Sequence, residues 1–381
     1  MGNPPAVLLD ATSLPPSWGG VARYIEGLLG GLDELGVAID VVAKPADVAR
    51  LRENAPGHRY HASPGGVAKR PIRFAWEQLG LPRLARRLGV DLIHSPHYTF
   101  PLSTRMPSVV TVHDATFFTD PGAHSRLKRT FFTWWTRRAG RSAGALVAPS
   151  QATADAVRSR VQVAHAGITV AYLGVDAARF HRPTREEITG FAREHGFGQG
   201  WIAFLGTIEP RKNVANLLRA HAELRVRRAA RDLPTPQLAI SGSRGWDSEA
   251  GALLDASTPA AGVTELGYLP VDELRSLLGG ATVVVYPSLG EGFGLPVLEA
   301  MATGGTVLTT RRLSIPEVGG DAVAYAEPDA AAIRDALDAL LDDPAERERL
   351  AAAAVERAAT FTWRRCAEQH LEAYQSARAA R

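Results

Sequence analysis

Short runs of apolar, largely β-branched residues recur along the chain, with helix-like segments between them. In the first half the runs are Ala6–Leu9, Val37–Val42, Asp91–His94, Ser108–Val112, Ala145–Ala148 and Ile168–Tyr172. In the second half they are Ile202–Leu205, Leu238–Ser241, Val263–Leu266, Thr282–Tyr286, Thr306–Thr309 and Ala322–Tyr325. Continuous apolar strands are buried on both faces, and their alternation with helices predicts parallel sheets covered by helices. Two such sets predict an α/β chain of two doubly wound, Rossmann-like domains, with the boundary in the polar stretch Val175–Gly200. Towards the end, Glu346–Ala359 reads as a helix, Phe361-Thr362-Trp363 interrupts it, and Cys366–Ser376 reads as another. Trp363 is read as a packing anchor.

Composition narrows the class. The 381 residues suggest about two domains, and a formal net charge of +3 does not mark a nucleic-acid binder. Cys366 is the only cysteine, so no internal disulfide is possible. There is no apolar run of about 18 residues and no signal-peptide pattern at the start, so a cytoplasmic protein is expected. The sequence has no D-x-D, no zinc-like His/Cys spacing and no G-x-x-x-x-G-K-[ST], so neither a metal nor a cofactor is expected.

The segment Pro287–Gly304 carries the most chemistry. A β-branched run leads into a glycine-rich turn holding Glu291, and Pro296 suits a first helical turn, where its missing N–H would be unpaired anyway. Leu298, Met301 and Ala302 give that helix an apolar face, and Glu299 falls about one turn inside it. Glycine turn and helix N-terminus together make an anion site from free N–H groups and the positive dipole end. Carboxylates on either side accept from hydroxyls. A diphosphate flanked by sugar and ribose hydroxyls, as in a nucleotide sugar, fits that chemistry.

Other segments add candidates. Gly206 ends a buried strand, and Arg211 and Lys212 open a helix beginning near Asn213. A helix N-terminus disfavours cations, so the pair calls for a reason: a bound diphosphate is one, a solvated loop pair the other. Gly19 and Gly20, in Trp18–Tyr24, open a helix and let a ligand approach the backbone, a plain tight turn being the alternative. Val109–Asp114 is a strand ending in His113-Asp114, at the carboxyl end where open α/β sheets bind ligands. Asp114 is read as fixing the loop or the imidazole. His97 and Tyr98 end the preceding strand and either line an acceptor side or are structural, and Ser150 is read as a helix cap.

The string from Glu291 to Glu299 resembles the E-x7-E motif of the large retaining, nucleotide-sugar-dependent glycosyltransferase family with the GT-B fold, of the family 4 type. Gly206-Thr207-Ile208-Glu209-Pro210-Arg211-Lys212-Asn213 looks like its diphosphate clamp, and Trp18–Tyr24 resembles its glycine loop facing the donor phosphate. The resemblance implies two domains facing a cleft: an acceptor-side domain of 1–180 completed by a last helix at 363–381, and a donor domain of 181–362. It implies that Glu291 holds donor sugar hydroxyls, Glu299 the ribose, and the backbone of Phe293, Gly294 and Leu295 the sugar and phosphates. His113 falls near the donor sugar, Arg244 near base or phosphate, and Tyr268 at the base pocket. Catalysis then falls to His113, Glu291, Arg211 and Lys212, with no metal and the nucleotide sugar as co-substrate.

The motifs most resemble those of bacterial mannosyltransferases of polysaccharide and glycolipid assembly. That favours GDP-mannose as donor, with UDP-glucose or UDP-galactose as alternatives, and a carbohydrate or lipid-linked acceptor. A non-catalytic nucleotide-sugar binder and a GT-B epimerase or phosphorylase also remain open. Pro121–Ala154 has no acidic residue but carries Arg126, Lys128, Arg129, Arg137, Arg138 and Arg141 among Phe131, Phe132, Trp134 and Trp135. A segment around Arg73 and Trp76 has Glu77 as its only acid. Both read either as a peripheral contact with the inner membrane face or as core aromatics with solvated arginines, more the latter for Trp134 and Trp135. Arginines facing a phosphate-bearing acceptor are a third reading.

Overall fold

The computed structural model describes residues 4–15, 19–120, 125–164, 167–198, 200–257 and 261–380. Trp18 of the glycine loop and Pro121 at the start of the acid-free segment lie outside them. The chain divides into two compact units, Met1–Gly174 with Phe361–Arg381, and Val175–Thr360.

The first unit is built on a seven-stranded parallel sheet. Its strands are β1 (Val7–Asp10), β2 (Asp40–Ala43), β3 (Arg59–Ala62), β4 (Leu92–Ser95), β5 (Ser108–Thr111), β6 (Ala145–Ala148) and β7 (Ile168–Val170), in the order β3-β2-β1-β4-β5-β6-β7. The second unit has a six-stranded parallel sheet of β8 (Trp201–Leu205), β9 (Gln237–Ser241), β10 (Val263–Gly267), β11 (Val283–Tyr286), β12 (Val307–Thr309) and β13 (Ala324–Tyr325), in the order β10-β9-β8-β11-β12-β13. Both are Rossmann-like, with the order reversing between β1 and β4 and between β8 and β11. The inner strands β1, β2, β4, β5, β6 and β11 are buried along their whole length, as their apolar runs predict. Strand β3 was not among the predicted runs. Its sequence Arg-Tyr-His-Ala is polar and partly exposed because it forms the sheet edge, where only one neighbour demands an apolar face.

The last helix, Trp363–Ala379, packs on the first, Gly20–Glu34. A side chain at Gly27 would overlap the Trp363 indole, and one at Gly31 would overlap the Trp363 backbone, so close approach requires glycine at both. Behind this contact lies a buried polar network. Tyr24 Oη lies 2.8 Å from Thr111 Oγ1 and 2.8 Å from His370 Nε2. His94 bonds Thr111 Oγ1 through Nε2 at 2.9 Å and Tyr374 Oη through Nδ1 at 2.9 Å. His370 Nδ1 reaches the Cys366 carbonyl at 2.7 Å, which assigns the ring proton to Nδ1 and leaves Nε2 to accept from Tyr24.

Burial keeps these rings neutral. It lowers His94 well below its ordinary value, His370 to about 4, His97 to about 3, and His113 as well. Below about pH 6.5 the unfolded chain binds protons that the folded rings refuse, so stability falls as pH drops from there towards 4. Glu77 opposes the trend, since burial raises its carboxyl to about 7 and folding takes up a proton there. Burial lowers His221 too and raises Asp10, so five histidines stand against two carboxyls, and the melting temperature is expected to fall steadily between pH 6.5 and 4.5, before ordinary carboxylates titrate. Replacing Glu77 with Gln should steepen the slope. A flat melting curve across that window, followed by circular dichroism, would show that the histidines are protonated without cost.

Candidate active site

In the second unit the site is assembled where the loops after β8 and β11 meet, at the point of strand-order reversal. Sheet topology alone makes this the place for a ligand crevice. After β8, Pro210–Lys212 form a single 3₁₀ turn, and Asn213 takes a left-handed conformation at φ 61° before the helix Val214–Ala229 begins. Arg211 and Lys212 therefore stand immediately before the helix, which begins beside Asn213 as the sequence suggested. Asn213 holds the break by donating to the carbonyls of Pro287 at 3.1 Å and Pro328 at 2.6 Å.

The two cations close on Glu291. Lys212 Nζ donates to Glu291 Oε1 at 2.7 Å, and Arg211 Nη1 pairs with Oε2 at 2.5 Å. Tyr286 and Ser288 also donate to Oε1, at 2.9 and 2.7 Å, and Lys212 additionally meets the Tyr286 hydroxyl. Arg211 Nη1 further donates to the Gly290 carbonyl at 2.6 Å, while Nη2 reaches Glu209 at 2.6 Å. Lys212 and Glu291 are each only 8% exposed. Burial raises the Glu291 carboxyl, but Arg211 and Lys212 outweigh it and hold the group at about 2. Burial also lowers the Lys212 ammonium, which Glu291 partly restores. Both oxygens of Glu291 thus accept before any ligand arrives, and the carboxylate orders the two cations. Tyr286 and Ser288 were given no role from sequence, although their place at the end of β11, three to five residues before Glu291, was a usable signal.

Beyond Glu291 the turn runs through buried Phe293 and Gly294 into the helix Leu295–Ala302. Gly294 sits at φ 104°, where a side chain would be strained, and a Cβ there would come within 2.8 Å of Ile315. Ser314 Oγ fastens the turn to the Glu291 carbonyl at 2.8 Å and the Phe293 carbonyl at 3.0 Å. Pro296 lies in the first turn, and Glu299 is buried one turn further in. Gly206 follows β8 with φ 150°. Arg244 is committed elsewhere, paired with Asp255 at 2.6 Å and Glu265 at 3.0 Å, so anion binding would have to compete with two carboxylates. Tyr268 follows β10 and is 69% exposed.

In the first unit His97, Tyr98, His113 and Asp114 come together around one cavity of about 170 Å³, closed by Val21, Phe117 and Phe132. His113 Nε2 lies 2.6 Å from the Pro96 carbonyl, and Asp114 Oδ1 accepts from the Thr116 backbone at 3.1 Å and its hydroxyl at 2.8 Å, fixing the loop. Gly19 caps the helix Gly20–Glu34, and a side chain at Gly19 or Gly20 would meet no atom within 4 Å. Packing does not demand these two glycines. Ser150 caps its helix through the Thr153 N–H at 3.1 Å. The two adjacent tryptophans, both expected in the core, part company: Trp135 is buried, while Trp134 is 52% exposed. A helix turns successive residues through about 100°, so only one of two neighbours can face the core.

Among the described residues no group of three or more His, Cys, Asp or Glu is placed to hold a metal ion, and no helix is long and apolar enough to cross a membrane. Glu291→Gln is expected to destabilise the second unit by about 3–5 kcal/mol, the usual cost of removing one partner of a buried ion pair. Ser288→Ala should cost about 1 kcal/mol. Denaturant titration reads both, and an unchanged midpoint for Glu291→Gln would mean that Lys212 is stabilised without it.

Comparison with known proteins agrees with the geometry. The family described as Glycosyltransferase Family 4 matches residues 18–179, and Glycosyl transferases group 1 matches residues 191–357. An O-antigen chain mannosyltransferase B of Escherichia coli is 31% identical over 80% of this chain and 77% of its own. A D-inositol 3-phosphate glycosyltransferase of Pseudarthrobacter chlorophenolicus is 28% identical over 94% of this chain and 90% of its own. Sucrose-phosphate synthase of Thermosynechococcus elongatus superposes with a TM-score of 0.77 at 20% identity, covering 100% of both chains. Anabaena HepE in complex with UDP-glucose superposes at 0.75 and 17% identity, covering 98% of this chain and 100% of that one. With two Rossmann-like sheets, a last helix returning to the first and both family matches in sequence, the chain belongs to glycosyltransferase family 4, the retaining GT-B enzymes that transfer a sugar from a nucleotide sugar.

Proposed function

We propose that the enzyme is a mannosyltransferase that takes its sugar from GDP-mannose and needs no divalent metal. The E. coli mannosyltransferase relative, at 31% identity, carries the choice of mannose. The inositol-phosphate relatives keep other nucleotide sugars in play as the second reading. The chemistry required is departure of a nucleoside diphosphate from an anomeric carbon. Arg211 and Lys212 are the cations that would meet the charge developing on the leaving group, joined by the N–H groups at the start of Leu295–Ala302. Their supply of positive charge, together with the absence of D-x-D, supports metal independence. No residue is assigned as a covalent nucleophile, and the reading adopted is front-face attack, with a phosphate oxygen taking the acceptor's proton.

In this reading Glu291 keeps the two cations aimed and Glu299 serves the ribose. Backbone groups of Phe293, Gly294 and Leu295 face the sugar and phosphates. Gly19 and Gly20 leave room for the donor phosphate, Gly206 and Tyr268 belong to the nucleotide side, and His113 to the sugar. The 1–180 domain, completed by 363–381, is the acceptor side, and 181–362 the donor side. The exposed face of Arg126–Ser142, with Leu127 82% and Trp134 52% exposed among arginines, suits an anionic membrane surface and a lipid-linked acceptor.

A thermal-shift screen of GDP, UDP, ADP and their sugars tests the donor, because a ligand that binds only the folded state raises the melting temperature. GDP-mannose should give the largest shift; a larger one with UDP-glucose would replace mannose by glucose. Arg211→Ala or Lys212→Ala removes a charge-assisted bond of about 1.5–3 kcal/mol, so kcat/KM for the donor should drop roughly 10- to 150-fold. Full activity should survive EDTA, and loss restored by magnesium or manganese would require a metal site. Vesicles of anionic lipid should retain the protein at low salt and release it when Arg137 and Arg138 are both replaced, each basic residue contributing about 1 kcal/mol. Failure to bind at low salt would leave these arginines as a solvated face.

A further inference from the structure

The cavity between the loops after β4 and β5 has an unusual polar edge for a protein with so many arginines: every group on it is an acceptor or is neutral. His113 Nε2 sits 2.6 Å from the Pro96 carbonyl, and a carbonyl can only accept, so the proton is on Nε2 and Nδ1 is left as an acceptor. Burial keeps that ring uncharged, and it keeps His97 uncharged as well. The buried His97 Nδ1 makes no hydrogen bond to another residue. Asp114 uses Oδ1 to hold Thr116, at 2.8 and 3.1 Å, which leaves Oδ2 to accept. The Tyr98 hydroxyl is occupied by the Asp114 backbone, accepting from its N–H at 3.0 Å and donating to its carbonyl at 3.2 Å.

Among the described residues, no lysine or arginine lines the cavity. Arg73, whose charge is felt at His97, is tied to Glu77 at 2.9 Å. The walls are aromatic, with the Tyr98 and Phe132 rings 4.7 Å apart and Phe117 5.8 Å from Phe132.

This chemistry separates two kinds of acceptor. A dianionic phosphate brings negative charge and further acceptors, so it meets Asp114 with repulsion and offers no proton to His97 or Asp114. A sugar ring brings hydroxyls that donate to those acceptors and C–H faces that pack on the aromatic walls. We propose that this cavity seats an unphosphorylated sugar ring of the acceptor. The proposal rests on the glycosyltransferase reading in which the first unit is the acceptor side, and it adds the chemical class of the group bound there.

The test uses the full chain with its nucleotide bound, and follows methyl α-mannoside and methyl α-glucoside against mannose 6-phosphate and glucose 6-phosphate by saturation-transfer NMR and calorimetry. The neutral glycosides are expected to bind at least tenfold more tightly than the phosphates. Phe132→Ala should weaken the glycoside at least tenfold with nucleotide affinity unchanged, and Phe132→Leu serves if the alanine variant does not fold. Asp114→Asn, which keeps an acceptor oxygen for Thr116, should narrow the preference over phosphate. Tighter binding of a phosphate overturns the proposal, as does glycoside affinity unmoved by the variants at either position. No sugar binding beside intact nucleotide binding overturns the proposal alone. No nucleotide binding would overturn the donor reading and this inference together.

Discussion

A lysine ammonium withdrawn from water must find its counter-charge inside the protein, and the second unit is arranged around that requirement. Lys212 finds Glu291 at 2.7 Å, which draws the loop after β8 onto the loop after β11. Arg211 follows, bound to the same carboxylate and to the Gly290 carbonyl. Tyr286 and Ser288 complete the donors around Oε1, so the carboxylate remains ionised in a place where burial alone would neutralise it. Everything downstream inherits this position: Gly294 with its positive φ, the Ser314 bonds that fasten the turn, and the N-terminus of Leu295–Ala302. In the proposed reaction these two cations and the helix end would act on a diphosphate by preorganisation, since little has to move when charge develops on the leaving group.

The first unit solves the opposite electrostatic problem. The network behind its last helix is made of tyrosines, threonines and neutral histidines, paired with one another and with carbonyls. Such a network fixes the return of the last helix without burying charge, but only while its histidines remain unprotonated. The same neutrality extends to the cavity at His97 and His113. One unit therefore concentrates positive charge at its site and the other keeps it away. That division suits a charged donor and an uncharged acceptor group.

Several parts of this arrangement were legible along the chain. The run Thr282–Tyr286, the turn at Glu291 and Pro296 in a first helical turn are local features, each set by residues within one or two turns of one another, and they appear in the structure as strand, loop and helix. Other expectations failed for identifiable reasons. Strand β3 was missed because an edge strand needs little apolar character. The helix expected near Asn213 does begin at Val214, but the 3₁₀ turn before it and the left-handed Asn213 are invisible to spacing; the Asn213 side chain is held there by carbonyls from Pro287 and Pro328. Trp134 and Trp135 were treated alike, and helix rotation separated them.

By itself, then, the sequence determined the alternation of strands and helices, the two parallel sheets and the glycine turn with its two glutamates, because these depend on periodicity and on backbone preferences that act over a few residues. Only the tertiary structure decided which charges meet. Lys212 and Glu291 are 79 positions apart, and Tyr24 and His370 are 346 apart. Neither pairing follows from local pattern, since both depend on strand order bringing distant loops and helices together. Whether a lysine is solvated or buried against a carboxylate, and whether a histidine is charged or neutral, is settled by that placement, because the cost of desolvating a charge is set by what surrounds it in space.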